Sequence, residues 1–330
     1  MADIIDILNI EPNKVNASLS GKYILLYGAP KIGKTTFCAT ELPKPLIVAT
    51  EVGYKAIPGV KAINVTKWTQ FKQIIKQLDN PAAREMYETV VIDTAVILSS
   101  LCEEYVCQQN GVSSLSEIPY GKGYALYEKE MSSAFRKITM MGLGLVFITH
   151  QEIKVNKNDK GEDYETIQPV LDKRSMKIIN ALVDFILYIG SEWNENGVNE
   201  RFFYTRNTPF VVAGSRFGNL APKIPFTYDA LISEIQKAME TSVEGNNSLI
   251  INEEIKYEEE ETKRPFTETM AEAGQIWSKF PKTEEWNERK MKVVEEYFGQ
   301  RIKLSTATPA QQDLVENVIQ DLKNLLSEVN

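Results

Sequence analysis

Gly28-Ala29-Pro30-Lys31-Ile32-Gly33-Lys34-Thr35 fits the spacing G-x-x-x-x-G-K-[ST]. The motif directly follows an apolar run, Tyr23 to Tyr27, and opens a helix-forming stretch, Lys34-Thr35-Thr36-Phe37-Cys38-Ala39-Thr40. That is the setting a phosphate-binding loop requires. The residue types follow from the chemistry. Glycines let the backbone curl until its N–H groups face a phosphate, and the start of a helix adds favourable partial charge. Residues Gly28 to Thr36 therefore read as a cradle for ATP. Lys34 is placed to reach the β- and γ-phosphates, and the Thr35 hydroxyl to ligate Mg2+. Lys31 is an extra cation inside the loop, either solvated or steadying a phosphate.

A metal site of this kind needs a carboxylate partner. Glu88-Thr89-Val90-Val91-Ile92-Asp93 supplies an apolar strand ending in Asp93, which would hold the magnesium shell. Glu51 ends the preceding apolar run, at a strand edge where ligands collect in open α/β sheets. His150 and Gln151 close the run Val146-Phe147-Ile148-Thr149 and read either as a γ-phosphate sensor or as a satisfied polar pair. Arg206 and Arg216 lie in turn-like segments and could act as fingers on a neighbouring subunit's phosphate.

The elements that must position these groups alternate in type from Lys22 to about Glu240. Tyr23–Tyr27, Leu46–Ala49, Val90–Ile92 and Leu145–Ile148 are continuous apolar runs, the signature of parallel strands buried on both faces. Helical patterns lie between them at Lys34–Glu41, Thr69–Leu78, Ile97–Gln109 and Tyr124–Met141. Phe185–Ile189 and Arg201–Tyr204 read as strands of a hairpin turned by Asn194-Glu195-Asn196-Gly197. The fold class is therefore α/β, a mainly parallel sheet flanked by helices. Lys154–Gly161, with Lys154, Lys157 and Lys160, reads as a basic loop, more readily a solvated hairpin tip than a DNA site, and Lys173-Arg174-Ser175 opens a helix. In Tyr120-Gly121-Lys122-Gly123-Tyr124, the two aromatics read either as a stacking platform for bases or, the preferred reading, as anchors of the helix that follows.

Composition bounds the rest. The chain has 330 residues, 43% hydrophobic and 25% charged, enough apolar material for a sizeable core. A net charge of −8 confines any nucleic-acid contact to a local basic patch. Three cysteines without a paired spacing read as reduced core thiols, and the one histidine, His150, leaves no histidine-based zinc cluster. Met1 to Ile10 has no basic region typical of a signal peptide, and no apolar run approaches the roughly 20 residues that span a bilayer. A cytoplasmic protein without membrane contact is the expectation. Residues 1–20 form an N-terminal segment, 21–240 the core, 241–265 an acidic linker containing Glu258 to Glu261, and 266–330 a small helical domain. Its last helix starts with a capping box, Thr308, Pro309 and Gln311, and continues with Leu314, Val318, Leu322, Leu325 and Val329 on one face.

Most AAA+ modules place a catalytic glutamate directly after the Walker B aspartate, where this chain has Thr94. A glutamate at the end of the preceding strand, here Glu51, is instead the RecA-like arrangement. Together with the loop, Val146 to Gln151, Thr205-Arg206-Asn207-Thr208-Pro209 and Ala213 to Pro222, the chain resembles phage-encoded RecA-like ATPases that include the Sak-type single-strand annealing proteins. The resemblance covers Lys22–Glu240. It implies a RecA-like P-loop NTPase core in which Glu51 activates water, Lys34, Gln151 and Arg216 assist at the γ-phosphate, and Thr35 with Asp93 hold the metal. It further implies single-stranded DNA as partner, contacted after Gln151, with self-association into a ring or filament and cooperation with a single-strand-binding or other recombination protein. The readings from other classes are a nucleotide-switched scaffold with little turnover and a small-molecule kinase. The second would need an arginine-rich lid that the sequence does not show.

Overall fold

In the computed structural model, which describes residues 17–242, 264–299 and 303–329, the uninterrupted apolar runs become strands covered on both faces. Residues 17–242 belong to one compact unit and the remainder to another. The N-terminal segment expected at 1–20 lies outside the described residues up to 16, and the acidic linker expected at 241–265 lies outside them from 243 to 263.

The first unit runs β1 (Tyr23–Gly28), α1 (Lys34–Thr40), β2 (Pro45–Ala49), β3 (Ala62–Asn64), α2 (Trp68–Leu78), α3 (Pro81–Met86), β4 (Thr89–Asp93), α4 (Ala95–Asn110), α5 (Lys122–Met140) and β5 (Gly144–Lys157). It continues with β6 (Asp163–Pro169), α6 (Lys173–Leu182), β7 (Phe185–Trp193), β8 (Asn199–Tyr204), β9 (Gly214–Ser215), β10 (Lys223–Pro225) and α7 (Tyr228–Ser242). The strand order is β10-β8-β7-β1-β5-β4-β2-β3. From β7 to β3 neighbouring strands are parallel, whereas β8 and β10 add an antiparallel edge. This is the α/β architecture of a P-loop NTPase core.

Alternation along each buried strand divides the core in two. Leu25, Val90 and Phe147 face α2, α4 and α5 through Phe71, Leu98 and Phe135. Ile24, Leu26, Val91 and Ile148 face α1 and α7 through Phe37, Leu231 and Ile235. With two to three kcal/mol as the usual order for one fully buried large apolar side chain, about that much per residue holds each layer to the sheet. Tyr27 is the polar exception: its hydroxyl donates to the carbonyls of Ile167 (3.2 Å) and Val212 (2.6 Å), tying β1 to the segments crossing above it.

Two expectations need correction. Lys154–Gly161 is not a loop: β5 continues to Lys157 and pairs antiparallel with β6, from Gln151↔Pro169 to Lys157↔Asp163. The alternation of Ile153 and Val155 with Glu152, Lys154 and Asn156 is a strand pattern that the lysines obscure. Only the tip turns, where Asn158 Oδ1 accepts from the Lys160 and Glu162 N–H groups at 2.9 Å each. Nor do both aromatics anchor α5. Tyr120 is 96% exposed, and Tyr124 alone packs inward, with the Arg174 guanidinium 3.7 Å from its ring centroid.

The second unit contains α8 (Phe266–Ser278), α9 (Glu284–Phe298) and α10 (Gln312–Leu326). The capping box forms at Thr308, with Gln311 Oε1 accepting from the Thr308 N–H at 3.0 Å. The buried face of α10 centres on Val315, Val318, Ile319 and Leu322, with Leu314 and Leu325 at its margin, and packs on Ala273, Ile276 and Val294 of the same unit. Its helical face thus finds its partners locally.

Candidate nucleotide-binding site

Gly28 ends β1 where its neighbours leave no room for a side chain: a Cβ there would lie 2.7 Å from the Ile189 carbonyl oxygen. The chain then curls through Lys31 at φ 65° and Gly33 at φ 110° before α1 begins. A positive φ of that size favours glycine at position 33. Gly33 caps α1 without a side-chain hydrogen bond, so the first amides of the helix keep no side-chain acceptor of their own. Lys34 folds back over the loop. Its Nζ donates to the carbonyls of Gly28 and Ala29, 2.9 Å each, and the residue is only 5% exposed. Burial pushes the pKa of Lys34 below its ordinary value, opposed by the charges of Asp93 and Glu51. Pro30, Lys31 and Thr36 stay exposed on the loop, with Ala29 and Ile32 partly covered.

β4 delivers Asp93 to the same place. The Thr35 hydroxyl donates to Asp93 Oδ2 at 2.6 Å, bringing together the two residues expected at the metal. Burial pushes the Asp93 carboxyl upward, an effect that the Thr35 hydrogen bond opposes and Glu51 reinforces. A hydroxyl and a carboxylate side by side are hard oxygen donors, and Mg2+ is bound through one or two such groups plus substrate phosphates. The donor set therefore fits magnesium.

Glu51 is held beside them by backbone. The N–H groups of Thr50 and Glu51 both bond the Asp93 carbonyl, at 2.7 and 3.3 Å, so the ends of β2 and β4 are laced together. The Thr94 hydroxyl donates to Glu51 Oε1 at 3.2 Å, and His150 Nε2 lies 3.9 Å from Glu51 Oε2. That contact with His150 was not legible in the sequence. β5, lying between β1 and β4, brings His150 level with Gly28. His150 Nδ1 and Gln151 Oε1 are buried without a hydrogen-bond partner. Buried polar atoms are nearly always paired, so two orphans on consecutive residues of β5, where His150 stands beside Glu51 and level with Gly28, mark a place where a hydrogen-bond donor such as water would complete the bonding.

The arginines are placed differently. Arg216 lies at the other end of β7: its Nη1 is 3.3 Å from Asp184 Oδ1 and its Nη2 donates to the Ala181 carbonyl at 2.8 Å. It is not brought to the loop of its own chain. Arg206 lines a recess of about 320 Å³ with Thr205, Asn207 and Phe217, and none of the loop residues borders it. The arginine at the loop is one the sequence reading passed over. Arg201, on β8, donates through Nη1 to the Ile32 carbonyl at 2.9 Å, across a sequence separation of 169 residues. No local pattern signals a contact so distant along the chain.

Among known proteins, a family model described as an AAA domain matches residues 20–217, which include the loop, Glu51, Asp93, His150 and Gln151. The SPbeta prophage-derived uncharacterized protein YorG of Bacillus subtilis (strain 168) is 29% identical over 338 aligned residues, covering 98% of this chain and 99% of that protein. No helix among the described residues is long and apolar enough to cross a membrane. Since the AAA model spans more than half of the 330 residues and takes in the site just described, the chain belongs to the AAA domain family.

Proposed function

We propose that this protein is a magnesium-dependent ATPase that couples hydrolysis to its grip on single-stranded DNA, in phage-type recombination, annealing of the Sak type, or replication. Lys34 leaves the Gly28 and Ala29 carbonyls to pair with the β- and γ-phosphates. Thr35 and Asp93 hold the metal, which when bound offsets phosphate charge and aligns the leaving group. Glu51 orients the attacking water and accepts its proton, with Thr94 fixing one carboxylate oxygen and His150 beside the other. Gln151 reads the presence of the γ-phosphate.

The observation that carries this reading is the course of β5. The strand lies between β1 and β4, sets His150 beside Glu51 with Gln151 next along it, and runs on without interruption into the hairpin that bears Lys154, Lys157 and Lys160. A change at the γ-phosphate therefore has a continuous strand path to a hairpin that bears three lysines among five acidic residues. Asp159, Glu162, Asp163 and Glu165 on the same hairpin temper its attraction for phosphates, which favours a contact with few phosphates and a shallow salt dependence. The prophage origin named for YorG supports the phage setting. Self-association into a ring or filament, and work beside a single-strand-binding protein, complete the proposal.

Phosphate release from ATP, measured with and without single-stranded DNA, tests it. Stimulation by DNA supports the coupling. Turnover that ignores DNA removes the DNA role and leaves an ATPase of another purpose, and binding without any turnover would favour a nucleotide-switched scaffold.

A further inference from the structure

We infer that Arg201 is a positioning residue of the phosphate loop: by holding the Ile32 carbonyl it sets the direction of the Gly33 N–H that a phosphate would receive. This rests on the nucleotide reading above.

In a trans peptide the C=O and the following N–H point in opposite directions. The cis peptide among the described residues is Asp93–Thr94, so the Ile32–Gly33 peptide is trans. Fixing the Ile32 oxygen on Arg201 Nη1, at 2.9 Å, therefore turns the Gly33 N–H to the side of the peptide opposite the arginine. Gly33 serves this contact as well as the turn. A Cβ built there would meet Arg201 Nη1 at 2.7 Å, so a side chain at position 33 would displace the guanidinium.

The guanidinium is itself held. Its carbon lies 4.9 Å from the Phe226 ring centroid, and the Phe226 N–H donates to the Arg201 carbonyl at 2.9 Å. Phe226 packs in turn on Phe37 and Phe203, with centroids 5.2 and 4.8 Å away. The backbone of Arg201 is fixed opposite Ser191 in the β7–β8 ladder. A planar, always-charged donor on an aromatic face keeps its direction better than a flexible ammonium would. Lys34 also holds loop carbonyls, those of Gly28 and Ala29, but it is the residue that must leave them for the phosphates. Arg201 would keep the last turn of the loop in place while Lys34 moves.

The test measures binding of Mg2+-ATP and of magnesium tripolyphosphate to the full-length wild type, Arg201→Ala and Arg201→Lys, together with thermal midpoints without ligand and steady-state ATPase kinetics. Arg201→Ala should weaken both ligands by the same factor, about five- to tenfold, the scale of one ordinary net hydrogen bond. Its midpoint without ligand should match wild type, kcat should change by about twofold or less, and Arg201→Lys should recover part of the affinity. Unchanged affinity, or a loss confined to ATP with tripolyphosphate binding intact, would overturn the inference; the second result would make Arg201 a contact for the nucleoside. If Arg201→Ala does not fold, Arg201→Lys binding both ligands as poorly as a loop variant such as Lys34→Ala would also overturn it. A wild type that binds neither ligand would remove the nucleotide reading itself, a failure distinct from wild-type binding that Arg201→Ala leaves untouched.

Discussion

Replacing Glu51 by glutamine removes one proton acceptor and little else. The side chain is 41% exposed, so the substitution leaves the core untouched. The amide oxygen can still accept the Thr94 hydroxyl, which now reaches Glu51 Oε1 at 3.2 Å, so the new side chain keeps the old position. What is lost is the ability to take a proton from water, together with a negative charge beside Asp93. General-base catalysis by a positioned side chain contributes about 10²–10⁴ in rate, or about 3–5 kcal/mol of barrier. Binding moves the other way. A carboxylate next to the γ-phosphate site repels a polyanion, so its neutral replacement should leave ATP affinity equal or higher. Phosphate release at saturating Mg2+-ATP and equilibrium binding of ATP should therefore separate: turnover down at least about a hundredfold, affinity retained. A glutamine variant hydrolysing within about threefold of wild type would refute the role given to Glu51.

Lys34→Ala should abolish the stabilisation that ATP confers: at a hundred times the dissociation constant the wild type gains about 2.7 kcal/mol, read as a rise in thermal midpoint, and the variant should show almost none. Tyr27→Phe deletes the donor to the Val212 carbonyl in a residue with no exposed surface, the Ile167 carbonyl keeping the Val212 N–H at 3.0 Å, and should cost about 1–3 kcal/mol in urea unfolding; a loss under about 0.5 kcal/mol would mean the Val212 carbonyl finds another partner. Burial pushes the Glu130 carboxyl up, but hydrogen bonds from Lys72 and from the Trp68 indole, each 2.8 Å, outweigh it and hold the pKa below the ordinary 4.5. A depressed carboxylate contributes stability that is complete above 4.5 and drains away as pH falls through the folded value. Glu130→Gln should accordingly flatten the part of the acid limb of urea stability that lies below 4.5, and an unchanged limb would show that Glu130 has no share in it.

What the sequence made legible was local. The strand runs from Tyr23, Leu46, Val90 and Leu145 announced themselves because strands covered on both faces are apolar at every position, and the loop did because its spacing is tied to backbone geometry. Thr35 and Asp93 could be paired because each ends or begins such an element. Charge hid the second half of β5: lysines at 154 and 157 outweighed an alternating pattern, and strand residues were read as a loop at a hairpin tip. β3 and β10, three residues each, are too short to carry a period. The Glu51–His150 contact and the Arg201–Ile32 bond depend on strand order, since β5 and β8 reach the loop only after the sheet assembles as β8-β7-β1-β5-β4-β2. Arg216, read as a finger on a neighbouring subunit's phosphate, lies beside Asp184 and away from the loop of its own chain.

Strand order also explains why the site has two walls. β1 stops at Gly28, level with His150 on one side and Ile189 on the other. β5 runs on to Lys157 and β7 to Trp193, each paired into a hairpin beyond the end of β1. The phosphate loop therefore lies between two hairpins: Gln151, with an unpaired oxygen, stands at the root of one, and Arg201 on the other bonds the Ile32 carbonyl of the loop. A ligand can shift a conformational equilibrium only by as much as it binds the two states differently. On the proposed reading, ATP meets that condition at Gln151, whose amide N–H can donate to the γ-phosphate only while that phosphate is present, whereas the Arg201 bond is made to the loop itself and survives hydrolysis. The β5–β6 hairpin should then respond to the state of the nucleotide and the β7–β8 hairpin should not. Amide hydrogen exchange with ATP and with ADP distinguishes them: protection that differs in 151–169 and is equal in 190–202 agrees with this division, and the reverse pattern would place the γ-phosphate sensor on the wrong strand.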